Sequence, residues 1–231
     1  MKVIGNPIRV GNHPHGIAFD SAKNRMYVAN RVDGTVSVID TSTNTVVETI
    51  LIGNSYSPYG IAFDSAKNRM YVTSSVMDDV SAIDTATNEV WHELVKVGQR
   101  GAYAIAFDKM NNRMYVTNYF DDSVSVINTS NNTTGLDVNV GTKPYGIAFD
   151  SAKNRMYVAN SGSDNVSVID TDAANEVTIT ITAGVGPRGI AFDSANNRMY
   201  VTNDDDDTVS VIDTATNDVV RVLSVGMRLT L

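Results

Sequence analysis

The chain has 231 residues, 42% of them hydrophobic, and no stretch approaches the ~18 consecutive apolar residues of a membrane-spanning helix, so no membrane insertion is expected. A formal charge of −8 and a pI near 4.7 exclude a phosphate-tracking surface, because nucleic-acid binding draws on clustered Lys and Arg. With no cysteine, disulfides, thiolate metal sites and cysteine nucleophiles are excluded, while the compartment stays open.

In chain order, residues 1–5 lack the long apolar segment and small-residue cleavage site of a secretory signal. The first predicted strand, a, covers residues 16–19, where Ile17 and Phe19 alternate with small residues as in a strand between two close neighbours. Asp20 to Asn24 form a polar turn, since Asp accepts backbone N–H groups and Asn tolerates a left-handed conformation. Strand b is expected at Arg25–Asn30, a turn at Val32-Asp33-Gly34, and strand c at 35–39. After Asp40 to Asn44, strand d runs over about 46–52 and stops at Gly53; Pro58-Tyr59-Gly60 then leads into the next strand a.

The phrase Arg-Met-Tyr-Val returns at Arg25, Arg69, Arg113, Arg155 and Arg198, in steps of 44, 44, 42 and 43 residues. A unit of this size cannot bury its own apolar surface and must stack on its copies. Four short antiparallel strands per step is the size of a propeller blade, and the period-two pattern excludes a helical repeat. The predicted fold is therefore an all-β, five-bladed β-propeller in a single domain, with units at about 12–53, 54–98, 99–141, 142–184 and 185–226.

Tyr115-Val116-Thr117-Asn118 and Tyr200-Val201-Thr202-Asn203 carry a family resemblance. Tyr27 to Asn30, Tyr157 to Asn160 and Tyr71 to Ser74 are near copies, each followed by a Val-Ser-Val-Ile-Asp-Thr-like phrase. The chain resembles the YVTN β-propeller repeat family over almost its whole length. That resemblance implies a propeller similar to those of archaeal and bacterial surface-layer and secreted proteins, hence an extracellular or cell-surface setting, and it implies no reaction. Family members usually have seven blades, so five units are a departure. Closure poses a problem too: Ile4 to Gly11 aligns with strand d, yet the chain also ends in a strand d at about 218–226. A closed, monomeric ring of five blades is expected, because an open fan would expose sheet faces.

Candidate chemistry lies where the copies differ. The residue before strand a is His15, Tyr59, Tyr103, Tyr145 or Arg188, which a closed ring would gather around one channel mouth. Tyr and His combine stacking with hydrogen bonding, suited to a small polar or carbohydrate ligand, with His13, Arg100 and Lys143 as further donors. Arg31 and the pair Tyr119-Phe120, in b–c turns, are expected to anchor a protein partner. The run Asp204, Asp205, Asp206 and Asp207 is a weak calcium candidate, because consecutive turn residues point apart. No nucleophile elbow, P-loop or dinucleotide fingerprint occurs, and no cofactor is expected. These residues point to a non-catalytic binding or scaffold protein acting through the face of d–a and b–c loops. The alternatives are a lyase or hydrolase using a channel-mouth histidine and a metal, and a purely structural module of a surface array.

Overall fold

The computed structural model describes residues 6–53, 56–98, 101–172 and 174–226. Five antiparallel sheets follow one another along the chain. Blade 1 comprises β1 (Pro14–Asp20), β2 (Arg25–Asn30), β3 (Thr35–Asp40) and β4 (Thr45–Leu51). Blade 2 comprises β5 (Pro58–Asp64), β6 (Arg69–Ser74), β7 (Asp79–Asp84) and β8 (Val90–Lys96). Blade 3 has β9 (Ala102–Asp108), β10 (Arg113–Asn118) and β11 (Ser123–Asn128), with an outer strand split into β12 (Thr133–Thr134) and β13 (Val138–Asn139). Blade 4 comprises β14 (Pro144–Asp150), β15 (Arg155–Asn160), β16 (Asn165–Asp170) and β17 (Glu176–Thr182), and blade 5 β18 (Pro187–Asp193), β19 (Arg198–Asn203), β20 (Thr208–Asp213) and β21 (Asp218–Ser224).

The turns explain why these residues fold as hairpins. In blade 1 the Asp20 carboxylate accepts the amides of Ala22 and Lys23 at 2.9 and 3.2 Å, and Asn24 closes the turn at φ 53°. Every a–b turn repeats the device, with Asn68, Asn112, Asn154 and Asn197 at φ 51–53°. The c–d turns end the same way in Asn44, Asn88, Asn132, Asn175 and Asn217, and the b–c turns in Gly34, Asp78, Asp122, Asp164 and Asp207. Left-handed backbone favours Asn, Asp and Gly, so much of the acidic rim has a conformational cause.

Strand alternation then gives each blade two apolar faces. Tyr27, Val36, Val38 and Ile50 point forward from blade 1 onto Ile61, Met70, Val72 and Ile83, which point backward from blade 2. The same pattern joins blade 2 to 3, 3 to 4 and 4 to 5. Each fully buried Ile or Met adds roughly 1.5–3 kcal/mol. Each interface is also pinned by a hydroxyl: Tyr27, Tyr71, Tyr115 and Tyr157 donate to the side-chain oxygens of Asn88, Asn132, Asn175 and Asn217 in the next blade's c–d turn, at 2.5–2.9 Å.

The expected closed ring is corrected by the two end faces. Among the described residues no apolar cluster joins blade 5 to blade 1. Tyr200 is 37% exposed where its four equivalents are fully buried, and Ile17 and Phe19 are 61% and 43% exposed. The fan stays open because β21 completes blade 5 by pairing with β20, while residues 6–13 form no strand and so bring none to its edge.

Candidate functional site

Each inner strand carries a bulge at its entrance. β1 pairs with β2 at Pro14 and again from Ile17, leaving His15 and Gly16 out of register. The same break leaves out Tyr59-Gly60, Tyr103-Ala104, Tyr145-Gly146 and Arg188-Gly189. A bulge re-aims its side chains, and here it turns the first residue of each pair toward the channel. The glycines let the inner strands converge: a Cβ on Gly16, Gly60 or Gly146 would lie 2.4, 2.3 or 2.1 Å from the backbone oxygen of Tyr59, Tyr103 or Arg188 in the next blade.

His15, Tyr59, Tyr145 and Arg188 meet around a cavity of about 220 Å³ bordered by all five inner strands, to which β9 contributes Ala104 and Ile105. The His15 ring stacks on Tyr59 with centroids 3.6 Å apart and a tilt of 31°. Tyr59 packs against Tyr103 at 4.6 Å and Tyr103 against Tyr145 at 5.4 Å. The Tyr59 and Tyr145 hydroxyls hydrogen-bond to each other across the mouth. Guanidinium groups flank the rings, Arg31 lying 5.8 Å from the centroid of Tyr59 and Arg188 5.5 Å from that of Tyr145. Burial against these rings, and secondarily the charge of Arg31, holds the His15 imidazole below its ordinary pKa of 6.5. At neutral pH it is therefore an uncharged proton acceptor. Burial is also the main cause that raises the Tyr59 and Tyr103 hydroxyls, so both keep their protons and remain donors.

Arg31 and Tyr119-Phe120, read from the sequence as a separate partner surface, join this same cluster. Tyr119 lies 4.9 Å from Tyr103, and the exposed Phe120 stands edge-on to Tyr119 at 4.9 Å. Sequence reading missed that Arg31, Ser75, Tyr119, Ser161 and Asp204 form a second tier. Each follows strand b directly, and each backbone amide donates to the loop that enters its own strand a, as Arg31 does to His13 and Tyr119 to Gly101. The signal was available: all five are the residue after the fourth position of the Tyr-Val-x-Asn phrase, or of its Ser-ended copy at Ser74. Asp204 consequently sits 3.3 Å from Arg188 as an ion pair. Its neighbour Asp206 accepts the amide of Val185 and the hydroxyl of Thr208, and Asp207 takes the left-handed turn position. The carboxylates of Asp204 and Asp206 thus serve different partners, and among the described residues no group of three or more His, Asp or Glu could hold a metal ion. The Lys143 amide donates to Asp122, and Arg100 lies outside the described residues.

Comparison with known proteins identifies a family. A family model described as "Lactonase, 7-bladed beta-propeller" matches residues 2–176 and, in a second placement, 39–225. No curated protein matches the chain. The expectation of a non-catalytic protein is thereby corrected, because the matching family is named for an enzyme.

Proposed function

Because the chain belongs to the seven-bladed β-propeller lactonase family, we propose that it is a hydrolase that opens a small lactone seated in the channel mouth. The observation that carries the reading is the stack of a neutral imidazole on a tyrosine pair, between two guanidinium groups, at a cavity the size of a single ring. His15 takes a proton from water, whose oxygen adds to the lactone carbonyl. Whichever of Tyr59 and Tyr145 accepts the hydrogen bond between them has its own O–H free to donate to the oxyanion. The ring C–O bond then breaks, the proton passes from His15 to the departing alkoxide, and a hydroxy-carboxylate remains, attracted by Arg31 and Arg188. Tyr103, Tyr119 and Phe120 offer a ledge on which a sugar-like or aromatic substituent of the lactone would stack.

Acid release from a panel of monocyclic lactones tests this reading. Turnover is expected, with His15→Gln lowering kcat by about 10²- to 10⁴-fold while leaving the fold intact, since His15, though partly covered by the Tyr59 ring, lies at the mouth and outside the apolar clusters between blades. A panel without turnover, or turnover indifferent to His15→Gln, would sink it.

A further inference from the structure

The two residues that follow strand b are where blade 3 departs from its copies. They are Arg31-Val32, Ser75-Val76, Ser161-Gly162 and Asp204-Asp205 in the other blades, and Tyr119-Phe120 here. The turn itself requires neither ring. In every blade the amide of the first residue donates to the loop before strand a whatever its side chain, and none of the four apolar clusters between blades includes Tyr119 or Phe120. Phe120 stays 61% exposed, so its apolar surface serves no core. A change in the neighbouring loop accompanies the pair: Gly101 stands at φ 77° where blades 1 and 4 carry His13 and Lys143. A Cβ on Gly101 would lie 2.9 Å from Phe120 Cδ2 and 3.0 Å from Tyr103 Cε2, so the bare glycine is what lets both rings close over the loop.

Tyr119 and Phe120 meet at 86° with centroids 4.9 Å apart, and so form a right-angled corner. The corner adjoins the cavity, because Tyr119 stands 6.2 Å from Tyr145, edge to face, and Tyr145 lines the cavity. A flat ring laid parallel to either member of the corner is edge-on to the other, and both arrangements are favoured at centroid separations of ~4.5–7 Å. A puckered, hydroxylated ring gains less there, since Phe120 has no group to meet its hydroxyls. Resting on the lactone reading, we propose that the substrate class is an aryl-substituted lactone, whose carbonyl lies by His15 and whose aromatic ring sits in the corner of Tyr119 and Phe120. The separation of Tyr145 and Tyr119 sets the linker: the aryl group is joined to the lactone directly or through about one or two atoms. The substituent takes no part in the bonds made and broken at the carbonyl; it adds affinity and fixes the orientation in which the lactone enters.

Two series of compounds test the proposal apart from the hydrolase reading beneath it. The first is turnover of γ-phenyl-, γ-cyclohexyl- and γ-methyl-γ-butyrolactone; the second is calorimetric binding of γ-lactams with the same three substituents, which resist hydrolysis. The phenyl compound should lead the other two by about tenfold, in kcat/KM and in Kd respectively. That lead should collapse to about twofold or less in Phe120→Ala and persist in Phe120→Tyr, which keeps a flat ring. Both variants should unfold at the temperature of the parent chain, because Phe120 is exposed and outside the clusters between blades. Lactone turnover without a phenyl preference would overturn the proposal and leave the hydrolase reading standing. Phenyl-lactam binding that depends on Phe120, with no lactone turned over, would support the aryl corner and sink the hydrolase. Equal Kd for the phenyl and methyl lactams, a cyclohexyl lactam bound as tightly as the phenyl one, or a preference unchanged in Phe120→Ala would each overturn it as well.

Discussion

His15 and the interface tyrosines show how position alone sets a residue's chemistry. The imidazole titrates below 6.5 because it is stacked on Tyr59 and lies near Arg31, so its protonated form is the one disfavoured. If His15 is the base, kcat/KM should rise through an acid limb centred below pH 6.5 and be level at neutral pH. Arg31→Gln removes the smaller of the two causes, so the limb should move up while staying under 6.5; a limb that does not move, or moves down, would contradict the assignment. Burial raises the hydroxyls of Tyr27, Tyr115 and Tyr157 to about 12, from an ordinary 10.0. Between those values the unfolded chain loses phenol protons that the folded chain keeps, so folding stability is full below about pH 10 and falls as pH approaches 12. Thermal unfolding followed across this window, with tyrosinate absorbance as the probe, should show ionisation and unfolding together, and Tyr115→Phe should lower stability at neutral pH by about 1 kcal/mol.

Blades are copies, yet the same substitution has a different effect in different copies. Gly60→Ala would place a methyl 2.3 Å from the Tyr103 carbonyl of the next blade, a backbone atom that cannot step aside. Gly189→Ala meets only the Thr202 hydroxyl of its own blade, at 2.9 Å. Urea unfolding should therefore find Gly60→Ala destabilised by about 1–3 kcal/mol and Gly189→Ala much less affected. Equal losses would show that the inner-strand glycines serve hairpin geometry and not blade convergence. At this scale the sequence was largely readable. The Asp-to-Asn turns and the alternation of Met26 and Tyr27 define hairpins with two apolar faces, because both are local properties of the chain. Blade 3 was less so: its predicted outer strand is interrupted by Gly135-Leu136-Asp137, with Leu136 94% exposed, where β-rich sequence gives way to a glycine.

The arrangement of blades was legible only as an order, since a repeat specifies the contact between neighbours and carries no instruction for joining first to last. That is why ring closure failed as an expectation while the mouth residues still converge: the bulges at His15, Tyr59, Tyr103, Tyr145 and Arg188 aim inward although no apolar cluster among the described residues bridges the gap. The merging of Arg31 and Tyr119 with the mouth was hidden for a different reason, because turn residues and loop residues distant in the unit become adjacent only once strand b and the loop before strand a are hydrogen-bonded. In a nearest-neighbour array stability is highest where both sides are covered. Amide exchange on the dilute protein should be slowest in β6, β10 and β15 and fastest in β18 to β21, whose forward face is open; uniform protection would contradict this gradient. The tyrosine-to-asparagine bonds have a consequence for biosynthesis. Each spans 60 or 61 residues in the forward direction, so a blade leaving the ribosome holds an unsatisfied hydroxyl until most of its successor has been translated. Blades thus lock in the order of translation, each waiting for the asparagine that the following repeat delivers.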